Sequence, residues 1–277
     1  MNHPPRLLPI PLTPLHHELL GSYLHRLAEA NHLTIQALAH EIGPGRYHAR
    51  DTESLSGWTP LTVSRLAALT GTGTAALLRA LPVLQKITTQ VLNPPAAPPG
   101  AITASRHTHA CRLCAARHGV IGMAIVHAFP HQRICLRHSR WHGGGDQRML
   151  WPLLPETLQA NQRHRRLVRQ HALPAISQDH LHAQALTRQW LTRNGPPELQ
   201  RRWQRRLDLL GEDPYGDPNR PGTDRIELVT YPETVTLTSL IASKHTTPGD
   251  FLTEAARRLG IDSSTLPGPP GTNGNLH

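Results

Sequence analysis

At 277 residues the chain is long enough for two or three modules, but 38% hydrophobic residues, 4% aromatics and 26 prolines argue against one large core. Its 29 Lys plus Arg against 19 Asp plus Glu leave a net charge of +10, and every cation except Lys86 and Lys244 is an arginine, the side chain suited to bidentate phosphate contacts. No run approaches the roughly 18 apolar residues of a membrane span, no export signal is visible, and three cysteines cannot staple an extracellular domain, so the expectation is a cytoplasmic protein with a polyanionic partner.

In chain order, a Pro-rich lead-in from Pro4 to Pro11 is expected to lie extended over a surface. Thr13 followed by Pro14 reads as a helix start, with Leu15, Leu19, Tyr23 and Leu27 forming one apolar face that Leu20, Leu24 and Ala28 widen, and Asn31 as its stop. Thr34 caps a second helix, with a Leu33–Leu38 staple across the cap and Gly43 at its end, so the two helices are predicted to pack as a hairpin. After a polar stretch at 44–58, Thr59-Pro60 repeats the start signal before Leu61, Val63, Leu66, Ala67 and Leu69. The glycines at 71 and 73 break that helix, and a short one follows from Ala75 to Leu81. Helix, Gly-containing turn, helix is the grammar of a helix-turn-helix, although Arg79 is the only cation on the short second helix.

Four prolines between residues 92 and 100 mark the clearest boundary. Beyond it Cys111, Cys114, Cys135 and His138 form C-x2-C-x20-C-x2-H, and these are all the cysteines of the chain. Zinc takes a tetrahedron of thiolates and imidazoles, and two short knuckles with two-residue spacing each deliver two donors to one ion. Three Cys and one His close the shell, which points to one structural zinc per chain and away from catalysis. His107, His109, His118, His127, His131 and His142 lie near the knuckles, and the ordinary reading for each is a solvated surface histidine. The apolar, β-branched run from Val120 to Phe129 is predicted to form strands that bring Cys135 beside Cys111, as in a zinc ribbon. Arg112, Arg117, Arg133, Arg137 and Arg140 surround the ligands, either as a DNA-facing platform or as a solvated rim.

Helical patterns return at Pro155. Between Gln159 and Leu210 ten arginines face only Asp179, Glu198 and Asp208, so most of the surplus charge is concentrated there. Leu199, Trp203, Leu207 and Leu210 form an apolar stripe that leaves Arg201, Arg202, Arg205 and Arg206 mostly on the outer face. With Arg112, Arg133, Arg137, Arg163 and Arg166 these are the candidate DNA contacts. Glu227 to Ile241 mixes β-branched residues with a proline, Pro248 to Leu259 is striped as a helix, and residues 266–277 are expected to be disordered.

The order of these parts resembles the TniQ/TnsD family of bacterial transposition proteins. Glu18-Leu19-Leu20-Gly21-Ser22-Tyr23-Leu24-His25-Arg26-Leu27-Ala28 is similar to that family's E-x-L-x-S-W-x-x-R-x-A stretch, with Tyr23 in place of the tryptophan, and the knuckle pair is the second match. Arg112 and Leu136 stand where the family's knuckles often carry proline. The resemblance implies an adaptor that binds target DNA, or a complex on it, and passes that location to a transposition ATPase and transposase.

The combined expectation is a mainly α protein. A helical module with helix-turn-helix-like hairpins (1–92) and a Pro-rich linker (93–100) precede a small zinc-ribbon-like β insertion (101–150), a basic helical module (151–265) and the tail (266–277). Its expected function is a zinc-stabilised, non-enzymatic DNA-binding adaptor for target-site selection, without membrane or small-molecule partners and with room for a homodimer. The alternatives are a zinc-ribbon interaction scaffold or a stand-alone DNA-binding regulator. No paired carboxylates, nucleophile elbow or phosphate loop supports an enzyme.

Overall fold

The computed structural model describes residues 5–43, 57–91, 106–143, 147, 149–192, 195–212, 222–243 and 248–266. Among them are eleven α-helices and two two-stranded antiparallel sheets, a mainly α fold with a small zinc-ribbon-like β portion. The described residues form two compact units that part after Ala128. The expected linker at 93–100 lies outside the described residues. Of the expected tail only Leu266 is described, and it is 8% exposed in the core of the second unit.

The first unit contains helices α1 (Leu20–Ala30), α2 (Ile35–Ile42), α3 (Pro60–Thr70), α4 (Thr74–Ala80) and α5 (Pro82–Val91). The predicted start of α1 at Thr13-Pro14 is corrected: the helix begins at Leu20. Local start signals lose there to a tertiary contact, because residues 17–19 pair with a strand: Leu19 N–H donates to the Ile125 carbonyl at 2.9 Å and His127 N–H to the His17 carbonyl at 2.8 Å. The Pro-rich lead-in is extended as expected and tied to α1 by Asn31, whose side chain both accepts from Ile10 N–H and donates to the Ile10 carbonyl, each at 2.9 Å.

The later boundaries follow their caps. Thr34 Oγ1 accepts from Ala37 N–H at 3.1 Å, and Thr59 and Thr62 form a reciprocal capping box at the start of α3. Gly71 ends α3 at φ 63, a left-handed conformation that glycine adopts without Cβ strain. Helix α5 was not anticipated, although Pro82 at its first position carries the start signal. The inward faces bury Tyr23, Leu24, Leu27, Leu38, Leu66, Leu77 and Leu84 in one core.

The same unit holds β1 (Arg106–His109), α6 (Arg112–Arg117) and β2 (Ile125–Ala128). The strands are antiparallel, with Thr108 opposite Val126 and His109 opposite Ile125, while residues 17–19 use β2's other edge through the Glu18–Val126 bridge. Covering that edge satisfies backbone groups that an exposed strand would offer to other chains.

The second unit opens with a 3-10 turn at Pro130–Gln132, then β3 (Ile134–Cys135) and β4 (Arg140–Trp141), and continues as α7 (Pro155–Gln170), α8 (Leu173–Thr192), α9 (Pro197–Leu210), α10 (Thr223–Ala242) and α11 (Pro248–Leu259). Helix α10 is the centre, packed on α7, α8, α9 and α11. It has no amphipathic stripe because nearly every face is buried. Its threonines return their hydroxyls to the helix, Thr234 to the Thr230 carbonyl at 3.0 Å and Thr238 to the Thr234 carbonyl at 2.8 Å, so β-branched polar residues are buried without orphaned hydroxyls. Trp141, Trp190 and Trp203 fill the core around it, and Tyr231 on α10 itself is buried among them.

Candidate metal centre

Each knuckle is shaped by the element that carries it. Ala110 N–H donates to the Ala124 carbonyl at 2.8 Å and extends the first hairpin up to Cys111. The chain turns at once into α6, where Ala115 N–H reaches the Cys111 carbonyl at 2.8 Å, and the first helical turn brings Cys114 back beside Cys111. In the second knuckle Cys135 pairs with Arg140 across β3 and β4, leaving residues 136–139 as a tight turn. Ser139 takes a left-handed φ of 48, and its carbonyl accepts from Leu150 N–H at 2.7 Å, which holds the turn that presents His138.

The donor atoms of Cys111, Cys114, Cys135 and His138 all lie within 4.8 Å of one another. Cys135 Sγ and His138 Nδ1 are 3.5 Å apart. A tetrahedral ion with usual Zn–S and Zn–N lengths requires an S···N edge of about 3.6 Å, a spacing this pair matches with Nδ1 as the nitrogen facing Sγ. Cys111 and Cys135 are buried, and soft thiolates with one imidazole are the donor chemistry of a structural zinc site. A tetrahedral ion held by all four donors would have no position left for a reacting water.

The neighbouring histidines are only partly as expected. His107 and His118 are exposed, but His127 is 8% exposed, and His131 and His142 are each lowered to about 4, by burial first and then by Arg165 and Arg133 respectively. The solvated reading is therefore corrected for those three. None joins the metal cluster.

The candidate DNA contacts separate by burial. Arg112 and Arg137 are exposed on the two knuckles, Arg163 and Arg166 are exposed on α7, and Arg205 is exposed on α9. Arg201 is exposed but lies 3.6 Å from Glu198, and Arg202 donates to the Leu259 and Gly260 carbonyls at the end of α11. Arg133 and Arg206 are corrections. Arg133 is only 4% exposed, reaches Asp224 at 3.0 Å and Glu227 at 3.2 Å, and lies over the Trp141 ring. Arg206 donates to Glu156 at 3.0 Å and to both oxygens of Glu233 at 2.7 and 2.9 Å. Both guanidinium groups fix α10 rather than face solvent. The helical stripe misplaced Arg206 because α9 is clamped on more than one side, and the acids that hold it are distant in sequence.

The Glu18 to Ala28 stretch forms a second polar arrangement, which sequence reasoning recognised only by resemblance. Arg26 Nε donates to Glu18 Oε1 at 2.8 Å and its Nη2 to Oε2 at 2.7 Å, while Ser22 donates to Oε1 at 3.1 Å and accepts from Ile125 N–H at 2.9 Å. Leu15 N–H adds a bond to Oε2 at 2.8 Å. The i, i+4, i+8 spacing of Glu18, Ser22 and Arg26 was the available signal. Tyr23 is fully buried and donates its hydroxyl to the Leu12 carbonyl at 2.7 Å, so the phenol that replaces tryptophan anchors the extended lead-in.

The family model TniQ matches residues 9–140. Over that span the chain is similar to the TniQ family. The TniQ match contains both the Glu18 network and all four metal donors, and it ends at Arg140, the partner of Cys135 across the second hairpin. Of the candidate DNA contacts, Arg112, Arg133 and Arg137 fall inside it and those on α7 and α9 outside. No curated protein and no solved structure is detectably similar to the chain.

Proposed function

We propose that the protein is a zinc-stabilised, non-enzymatic DNA-binding adaptor for target-site selection in transposition, linking DNA or a DNA-bound complex to a transposition ATPase and transposase. The observation that carries this reading is the TniQ match over residues 9–140 coinciding with a closed four-donor cluster. TniQ domains belong to transposition, and a closed shell gives the metal a structural task. The net charge of +10 and the exposed arginines of α7 and α9 supply affinity for a polyanion. No helix among the described residues is long and apolar enough to cross a membrane. The division into a helical module, a zinc module and a basic helical module is part of the proposal, and limited proteolysis at the Pro-rich linker tests it.

Duplex DNA binding at low and moderate salt tests the function. The reading requires binding that weakens steeply with salt as arginines release counterions from phosphates. Absence of binding at low salt, or salt-independent binding, contradicts it.

Exposed Leu113, Ile121 and Met123, all near the first knuckle, favour a second reading, an interaction scaffold. A scaffold keeps its protein partner when the exposed arginines of α7 and α9 are neutralised, and a DNA-dependent adaptor does not.

A further inference from the structure

The second unit contains an open groove of about 490 Å³ beside α7, lined by His131, Leu136, Arg165, Arg166, Val168 and Arg169. No acidic residue lines it. Arg165 Nε donates to the His131 carbonyl at 3.4 Å, which holds one guanidinium against the wall, while Arg166 and Arg169 are exposed and have no ion-pair partner among the described residues. Arg163 lies one helical turn earlier. The positions 163, 166 and 169 advance about 4.5 Å per step along the axis, a linear series of like charges.

Helix α7 contrasts with α9 in leaving its arginines unmatched by acids. On α9 the arginines are largely committed within the protein: Arg201 to Glu198, Arg202 to the end of α11, and Arg206 to Glu156 and Glu233. Glu156, the only acid on α7, is itself engaged by Arg206 and is not among the residues lining the groove. Several guanidinium groups held side by side with no internal counter-charge repel one another until a polyanion arrives. Leu136 and Val168 give the groove an apolar part that suits the sugar faces of a nucleic-acid backbone.

We infer that this groove is a phosphate-backbone site for nucleic acid, with Arg166 and Arg169 as its contacting cations and Arg165 as a fixed supporting charge. The inference rests on the DNA-binding reading and assigns that binding to one face of α7. Backbone contacts there position the protein without reading sequence.

The test is fluorescence anisotropy of a short labelled duplex with the full chain, comparing wild type, R166S/R169S and R201S/R205S. The expected result is a loss of affinity of tenfold or more for R166S/R169S, with the slope of log K against log salt reduced by about 2, and a smaller effect for R201S/R205S. R166K/R169K, which keeps the charge, is expected to retain most of the affinity, and unchanged melting of all variants confirms folding. Wild-type affinity and slope in R166S/R169S overturn the groove while leaving DNA binding intact. A wild-type protein that ignores the duplex overturns the underlying reading as well. Binding of a polyglutamate peptide in place of DNA, lost in R166S/R169S, overturns the inference in favour of an acidic protein partner.

Discussion

Arg26 and Glu18 meet through two hydrogen bonds, Nε to Oε1 at 2.8 Å and Nη2 to Oε2 at 2.7 Å, with side chains 9% and 0% exposed. The same carboxylate accepts from Ser22, whose hydroxyl holds Ile125 on β2. The matched stretch of the TniQ domain is thus an anchor between α1 and the β1–β2 hairpin. Removing one partner leaves a buried charge unpaired, so Glu18→Ala is expected to cost about 3–5 kcal/mol. Replacing both, as in Glu18→Leu with Arg26→Met, is expected to cost clearly less than the two single changes summed. Urea unfolding checks this. Additive losses contradict a coupled pair.

Arg206 and Arg205 are adjacent in sequence but face different surroundings. Arg206 is clamped by Glu156 and Glu233, and Trp203 Nε1 donates to the same Glu233 at 3.0 Å. Arg206→Ala is expected to lower stability by about 3–5 kcal/mol, because it strands a buried carboxylate. Arg205→Ala on the exposed side is expected to stay within about 0.5 kcal/mol of wild type. Equal melting temperatures for the two variants contradict the assignment.

A third prediction concerns acid. His131 and His142 are lowered to about 4 by burial and a nearby arginine, and His164 is lowered by burial, then by His180 and His131. His164 stacks on His180 with ring centroids 4.5 Å apart and is 2.9 Å from the Tyr231 hydroxyl. Unfolded histidines take up protons below about 6.5 while these remain neutral in the fold, so the unfolded state binds more protons between about pH 4 and 6.5. Stability is therefore full above that window and falls as pH is lowered through it. The urea midpoint is expected to be lower at pH 5 than at pH 7.5, and His131→Gln to flatten the dependence. A midpoint that rises on acidification contradicts the neutral assignment.

Much of this architecture was legible in the residues. Thr34 and Thr59 announce their helices because capping is local chemistry, and C-x2-C-x20-C-x2-H announces four donors because ligand spacing is local geometry at each knuckle. The start of α1 was misread because residues 17–19 are held by β2, more than 100 residues later. Helix α10 was hard to read because burial on all sides erases the stripe that marks a surface helix. Arg133 and Arg206 were misplaced for a related reason, since charge counts do not reveal which cations are matched by distant acids. The groove beside α7 needed both the helix and the 3-10 turn that supplies His131.

Cys111, Cys114, Cys135 and His138, whose donor atoms lie within 4.8 Å of one another, are expected to hold one structural zinc. Metal analysis of the purified full chain beside its Cys135→Ala variant tests it most directly. About one zinc per wild-type chain is expected, with little in the variant and loss of the metal as acid protonates the thiolates. A wild-type chain that purifies folded without zinc and takes none up on addition, or a variant that retains a full equivalent, contradicts it.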